Sequence, residues 1–252
     1  MNNLWITGLD TREPHKPNLI CFPFSGGSAQ FFFPWRSPLE DVNVLAVQLP
    51  GRANRYREAV FTEMHALIEV LADQLKSVLT PPFFFFGHSL GSLIAFELAR
   101  YLQAHALPSP DHVFVSGYSA PQCEWPLTRR RPKIMHNLPK EEFVRQLRVF
   151  KGTPSEILDN PELLDLFLPA LVADFTILDT YQYQSGARLT SPVTAFGGLQ
   201  DTEDFPKETI KAWEAQTQGE RFSYYMLPGE HFFIKTSESL LFEILRNKMN
   251  VE

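Results

Sequence analysis

The chain has 252 residues, 44% hydrophobic and 21% charged, which suits one large α/β domain or two small ones around a sizeable core. A net charge of −6 argues against nucleic acid as a partner. Two cysteines, Cys21 and Cys123, without a C-x-x-C pair, support neither a disulfide scaffold nor a structural zinc site. No apolar run reaches the roughly 18 residues of a membrane span. Met1 to Asp10 lack the basic-then-apolar pattern of a secretory leader, so a cytoplasmic protein is expected.

In chain order, residues 4–8 and 18–24 read as short strands, the second running into the loop Ser25-Gly26-Gly27-Ser28. A third apolar strand, 43–49, is closed by Pro50-Gly51. Met64, Leu67, Ile68, Leu71 and Leu75 recur at helical spacing within 62–79, and Pro81-Pro82 stops that helix. Phe83-Phe84-Phe85-Phe86 form a buried strand, followed by Gly87-His88-Ser89-Leu90-Gly91 and a helix over 90–106. Further strands are expected at 112–117, 192–196 and 222–227, with a closing helix at 238–248. Strands alternating with helices imply a mainly parallel sheet covered on both faces, and the 22 phenylalanines suit strands buried on both sides.

The interval 118–190 breaks the alternation. It holds no convincing strand but three helical stretches: one through Phe143, Leu147 and Phe150, one at 163–171 and one at 173–183. Inserted just past the candidate nucleophile, these helices are expected to form a lid on a core made of 1–117 and 191–252.

The strand, G-x-S-x-G and helix together give the context of a nucleophile elbow in the α/β-hydrolase fold, in which Ser89 is lifted above the sheet edge. A serine hydroxyl needs a histidine to take its proton and a carboxylate to orient that histidine. These partners follow in the order Ser, Asp or Glu, His. His105 and His112 flank the start of a strand, the wrong end for chemistry at the carboxyl edge, and His136 falls in the lid. His231 follows the last strand and is the candidate base. The loop after 112–117 carries no acid, whereas the next loop carries Asp201 and Asp204; Asp201 is favoured, with Asp204 as the alternative. Two backbone amides, of Leu90 after the nucleophile and of Ser25 in the early glycine loop, are the candidate oxyanion donors.

Taken together, several stretches resemble the type II thioesterases, stand-alone α/β-hydrolases that accompany nonribosomal peptide and polyketide synthetases. They are Leu19-Ile20-Cys21-Phe22-Pro23-Phe24-Ser25-Gly26-Gly27-Ser28, Gln48-Leu49-Pro50-Gly51-Arg52, Phe86-Gly87-His88-Ser89-Leu90-Gly91 and Gly152-Thr153-Pro154. Leu168-Pro169-Ala170-Leu171-Val172-Ala173-Asp174-Phe175, Gly197-Gly198-Leu199-Gln200-Asp201 and Leu227-Pro228-Gly229-Glu230-His231-Phe232 complete the set. The resemblance implies hydrolysis of acyl groups from the phosphopantetheine arm of acyl or peptidyl carrier proteins, without a cofactor or metal, by Ser89, His231 and Asp201. It implies clearance of stalled thioesters from an assembly line, while relatives of the family release medium-chain fatty acids. Three positions depart from the family: Ser25 stands where alanine is more frequent, Leu90 where methionine is, and Val172 where arginine is expected. The basic run at residues 128–133 is a candidate carrier-docking segment or a solvated loop. A carboxylesterase or lipase with the same three residues, and a catalytically silent binding subunit, are the competing readings. A monomer is expected, since helices close this architecture's sheet.

Overall fold

The computed structural model describes residues 3–123, 134–150, 152–201 and 203–251. The basic run at 128–133 lies outside the described residues. The strands are β1 (Ile6–Thr7), β2 (Asn18–Phe22), β3 (Asn43–Val47), β4 (Phe83–His88), β5 (His112–Ser116), β6 (Val193–Gly198) and β7 (Phe222–Leu227). They form one sheet in the order β1-β3-β2-β4-β5-β6-β7, with only β1 antiparallel to its neighbour.

The phenylalanine run shows why β4 occupies the middle. Side chains alternate across a strand, so Phe83 and Phe85 enter the core on one face and Phe84 and Phe86 on the other. All four are buried, as expected where helices cover both faces. On the first face lie α1 (Met64–Gln74) and α2 (Leu90–Ala104), through Leu67, Leu71, Leu93 and Ile94. The second face is covered by Phe32 and Trp35 of the 3₁₀ segment Ala29–Arg36 and by Leu241 and Leu245. These two leucines belong to the last of the five helices that follow α3 (Lys140–Phe150). Those helices are α4 (Ser155–Leu158), α5 (Pro161–Thr180), α6 (Lys207–Lys211), α7 (Phe233–Thr236) and α8 (Glu238–Met249).

Between β5 and β6, α3 (Lys140–Phe150), α4 and α5 gather a separate apolar cluster that includes Met135, Phe143, Leu147, Leu164 and Phe175. Here the expected helices at 163–171 and 173–183 prove to be one continuous helix, α5. Its start was written in the sequence: Asn160 accepts from the amides of Glu162 and Leu163 at 3.0 and 3.2 Å, and Pro161 takes the first turn. Its continuity through Pro169 is tertiary, because Ala170, Leu171, Ala173, Asp174, Phe175 and Ile177 are buried beyond the proline. Val172 packs half-buried against the same cluster.

Candidate active site

Ser89 sits between β4 and α2 with φ 54° and ψ −120°, in the positive-φ half of backbone space that non-glycine residues rarely enter. That turn works only with glycine on both sides. A Cβ on Gly87 would lie 2.0 Å from the Gly91 carbonyl oxygen, and one on Gly91 would lie 2.1 Å from that of Phe22. The turn is tied to the neighbouring strand, since the Ser89 amide donates to the Ser116 carbonyl at 2.8 Å. The buried Ser92 hydroxyl reinforces the tie by accepting from the Ser116 amide at 2.8 Å. The Ser89 side chain makes no hydrogen bond to any described residue and lines a cavity of about 500 Å³.

The other two candidates reach the same cavity from adjacent strand ends. Because β6 and β7 are paired through Gly198 and Leu227, the loops that follow them lie side by side. The Leu199 amide donates to Leu227 and the Gln200 amide to Gly229, at 2.8 and 3.0 Å, knitting the loops together. His231 Nδ1 thereby meets Asp201 Oδ2 at 2.7 Å, the two side chains being 19% and 8% exposed. Asp204 lines the cavity but is not the carboxylate on this ring nitrogen. A carboxylate on Nδ1 fixes the tautomer with the proton there, leaving Nε2 free to accept one. Phe205 stacks on the imidazole at 5.0 Å between centroids and Phe232 meets it edge-on at 5.2 Å, holding the ring plane.

The amide of Leu90 opens α2, where no turn precedes it to accept its hydrogen. The Ser25 amide belongs to a turn over residues 24–27, closed by the Gly27 amide on the Phe24 carbonyl at 2.8 Å. Gly26, with φ 73°, supplies the positive angle this turn requires at its third position. Neither the Ser25 nor the Leu90 amide donates to a described group, and both residues lie beside Ser89 in sequence or in the cavity wall.

The histidines set aside in the sequence have structural partners. His136 Nδ1 meets Asp179 of α5 at 2.9 Å, and His112 Nε2 meets Thr194 Oγ1 at 2.8 Å under the sheet. His105 stacks on Tyr101 at the surface. His88, inside the elbow, is a contact that sequence reasoning did not single out. It packs 5.0 Å from His231, and burial, then the charges of His231 and Lys235, keep it well below its ordinary pKa. Arg52 and Asp174 were also missed: they form a buried ion pair behind the Ser25 turn. Both stood in motifs of the resemblance, which named them without a role. Among the described residues, no group of three His, Cys, Asp or Glu side chains could hold a metal, and no helix is long and apolar enough to cross a membrane.

The family model described as the Thioesterase domain matches residues 17–248. The chain is 36% identical over 250 residues to the gramicidin S biosynthesis protein GrsT of Aneurinibacillus migulanus, covering 99% of this chain and 95% of that protein. It is 40% identical over 249 residues to the protein named linear gramicidin dehydrogenase LgrE of Brevibacillus parabrevis, covering 97% and 92%. Despite that name, the present sequence carries no G-x-G-x-x-G dinucleotide fingerprint. Among solved structures, the type II thioesterase BorB from the borrelidin biosynthetic cluster superposes with a TM-score of 0.86 at 32% identity, covering 99% of both chains.

Proposed function

The chain belongs to the thioesterase family, and from its site we propose that it hydrolyses acyl thioesters held on the phosphopantetheine arm of carrier proteins. The observation that carries this reading is the 2.7 Å contact of His231 with Asp201 in the same cavity as the strained Ser89 turn. His231 Nε2 takes the Ser89 proton as the hydroxyl oxygen attacks the thioester carbonyl carbon. The amides of Leu90 and Ser25 hold the resulting oxyanion, where donors fixed beforehand act most strongly. The carbon–sulfur bond breaks, the thiol leaves with the proton from His231, and an acyl-serine remains. A water deprotonated by His231 then releases the acid, while Asp201 stabilises the imidazolium at each stage.

The cavity walls suit an apolar acyl group. Leu147, Phe150, Leu171 and Phe175 come from the helices of 118–190, which we read as the lid, and Phe24 and Phe232 come from the core. A cavity of about 500 Å³ accepts acyl groups of differing shape, in keeping with an editing role in a nonribosomal peptide or polyketide assembly line. The working form is a cytoplasmic monomer that meets its substrate on an acyl or peptidyl carrier protein.

The test is hydrolysis of short, medium and long acyl groups loaded on a phosphopantetheinylated carrier, beside the matching acyl-CoA, by wild type and Ser89→Ala. The expected result is turnover faster on carrier across many acyl groups, with kcat for Ser89→Ala lower by about 10⁴- to 10⁶-fold. Selection of one chain length would replace editing with product release. Absence of thioester turnover, or Ser89→Ala activity near wild type, would overturn the reading.

A further inference from the structure

The turn that presents the Ser25 amide is held from behind by a buried ion pair. Arg52 and Asp174 have side chains 4% and 2% exposed and meet in a fork, Nη1 to Oδ2 at 2.7 Å and Nη2 to Oδ1 at 2.8 Å. The same Oδ2 accepts the amide of Gly26 at 2.7 Å. Arg52 Nη1 also donates to the Gly27 carbonyl, and Nε to the Pro50 carbonyl, both at 3.3 Å. The pair therefore holds the residues on the far side of Ser25 through both an amide and a carbonyl, while the Ser25 amide itself stays uncommitted.

Asp174 does not belong to the sheet. It lies on α5, and the same helix presses on both loops. A Cβ on Gly26 would lie 2.4 Å from Leu171 Cδ2, and one on Gly51 would lie 3.6 Å from Ala170 Cβ. Ala170, Leu171 and Asp174 thus present one surface of α5 to the turn at 24–27 and the loop at 50–52. Arg52 also has an electrostatic task. A lone carboxylate on the Gly26 amide, next to the Ser25 amide, would oppose the charge that forms there, and the guanidinium cancels it in place.

We propose that Arg52 and Asp174 are positioning residues for acyl transfer, an ion pair through which helix α5 fixes the turn bearing the Ser25 amide, so that the oxyanion site is complete only with α5 seated. This rests on the reading of Ser25 as an oxyanion donor given above. A single replacement strands a buried charge and lowers stability whatever the role of the pair. The deciding variant therefore removes both charges at once, R52M with D174L, which leaves an apolar pair and no anchor on Gly26.

Two probes separate positioning from packing. A trifluoromethyl ketone carrying the acyl chain adds to Ser89 Oγ, with the hydroxyl proton passing to His231 and the carbonyl oxygen entering the oxyanion site. The matching thioether has the same shape but no carbonyl. In the double variant, kcat and ketone affinity should fall together by about 10²-fold, the scale of one lost oxyanion donor. KM and thioether binding should stay within threefold of wild type, and thermal unfolding should remain close to it. R52K, which keeps the cation but loses the fork, should show the same split at a smaller factor and serves if the double variant does not fold. A double variant, or R52K, with wild-type kcat and ketone affinity would overturn the proposal. So would a loss of thioether binding equal to the loss of ketone binding. Failure of the underlying reading looks different: wild type would not turn over thioesters, or Ser89→Ala would.

Discussion

The sheet and the helices of 118–190, which we read as a lid, hold their contributions to the cavity in different ways. Ser89, Asp201 and His231 each stand within four residues of a strand end, and the backbone around them is closed by ladder bonds and by glycines whose replacement collides with carbonyl oxygens. The lid offers Leu147, Phe150 and Phe175 from helices packed on an apolar cluster of their own, and leaves Val149, Leu163 and Leu166 exposed. Backbone closure tolerates no added atom, whereas side-chain packing yields by degrees. In the proposed function, chemistry that needs sub-ångström placement sits on the first, and accommodation of the acyl group on the second.

Four changes bear on that contrast, the largest first. Asp201→Asn keeps the shape of the base's partner but reverses its hydrogen-bond preference on Nδ1, and should lower kcat by about 10⁴-fold with thermal stability retained. Steady-state kinetics on an acyl-carrier substrate checks it; a tenfold loss or less would mean that the carboxylate does not set the tautomer. Gly91→Ala drives a methyl group into the Phe22 carbonyl, and should cost on the order of 3 kcal/mol in urea unfolding as well as activity. Full stability in that variant would show that the elbow yields as the lid does.

Phe143→Ala empties the centre of the lid cluster, where Phe143 is 2% exposed. It should destabilise the lid by about 3 kcal/mol and raise KM, leaving hydrogen exchange in β4 and β5 at wild-type rates. Equal loosening of the strands would show that lid and sheet unfold as one unit. The smallest effect lies under the sheet. Burial, then the charge of Lys248, lowers the pKa of His112 from 6.5 to about 4, so the folded form holds this imidazole neutral. As pH falls the unfolded chain takes up the proton first. The contribution is intact above 6.5 and is lost progressively toward 4, by about 2 kcal/mol at pH 5 relative to pH 7. His112→Gln should flatten that slope in urea titrations at several pH values, leaving the contribution of the same sign from buried His88; an unchanged slope would refute the assignment.

Much of the fold was legible because its signals are local. The strand at Phe222–Leu227 was read in full, and the other six to within a few residues at each end. Boundaries slipped where the chain stays apolar after its ladder ends, as at Pro23-Phe24, which continue the hydrophobic run of β2 into the cavity loop. The helix expected over 62–79 is shorter, Met64–Gln74, because Leu75, Val78 and Leu79 bury themselves in turns beyond its last regular residue. The lid helices blurred for the opposite reason: α5 carries apolar residues around much of its circumference, so periodicity could not mark where one helix ended.

What the sequence determined by itself is the elbow and the order of its partners. A buried strand, two glycines and a helix lie within a dozen residues, and the forces that shape them act between near neighbours. Which carboxylate meets His231, and what stands behind Ser25, were decided only in three dimensions. Asp201 and Asp204 are three residues apart and alike in chemistry, and the pairing of β6 with β7 brings Asp201 onto the imidazole. Arg52 and Asp174 are 122 positions apart and carry no local pattern. Only when α5 packs across the early loops do two charges leave water together, and a buried ion is tolerated only with its partner in place.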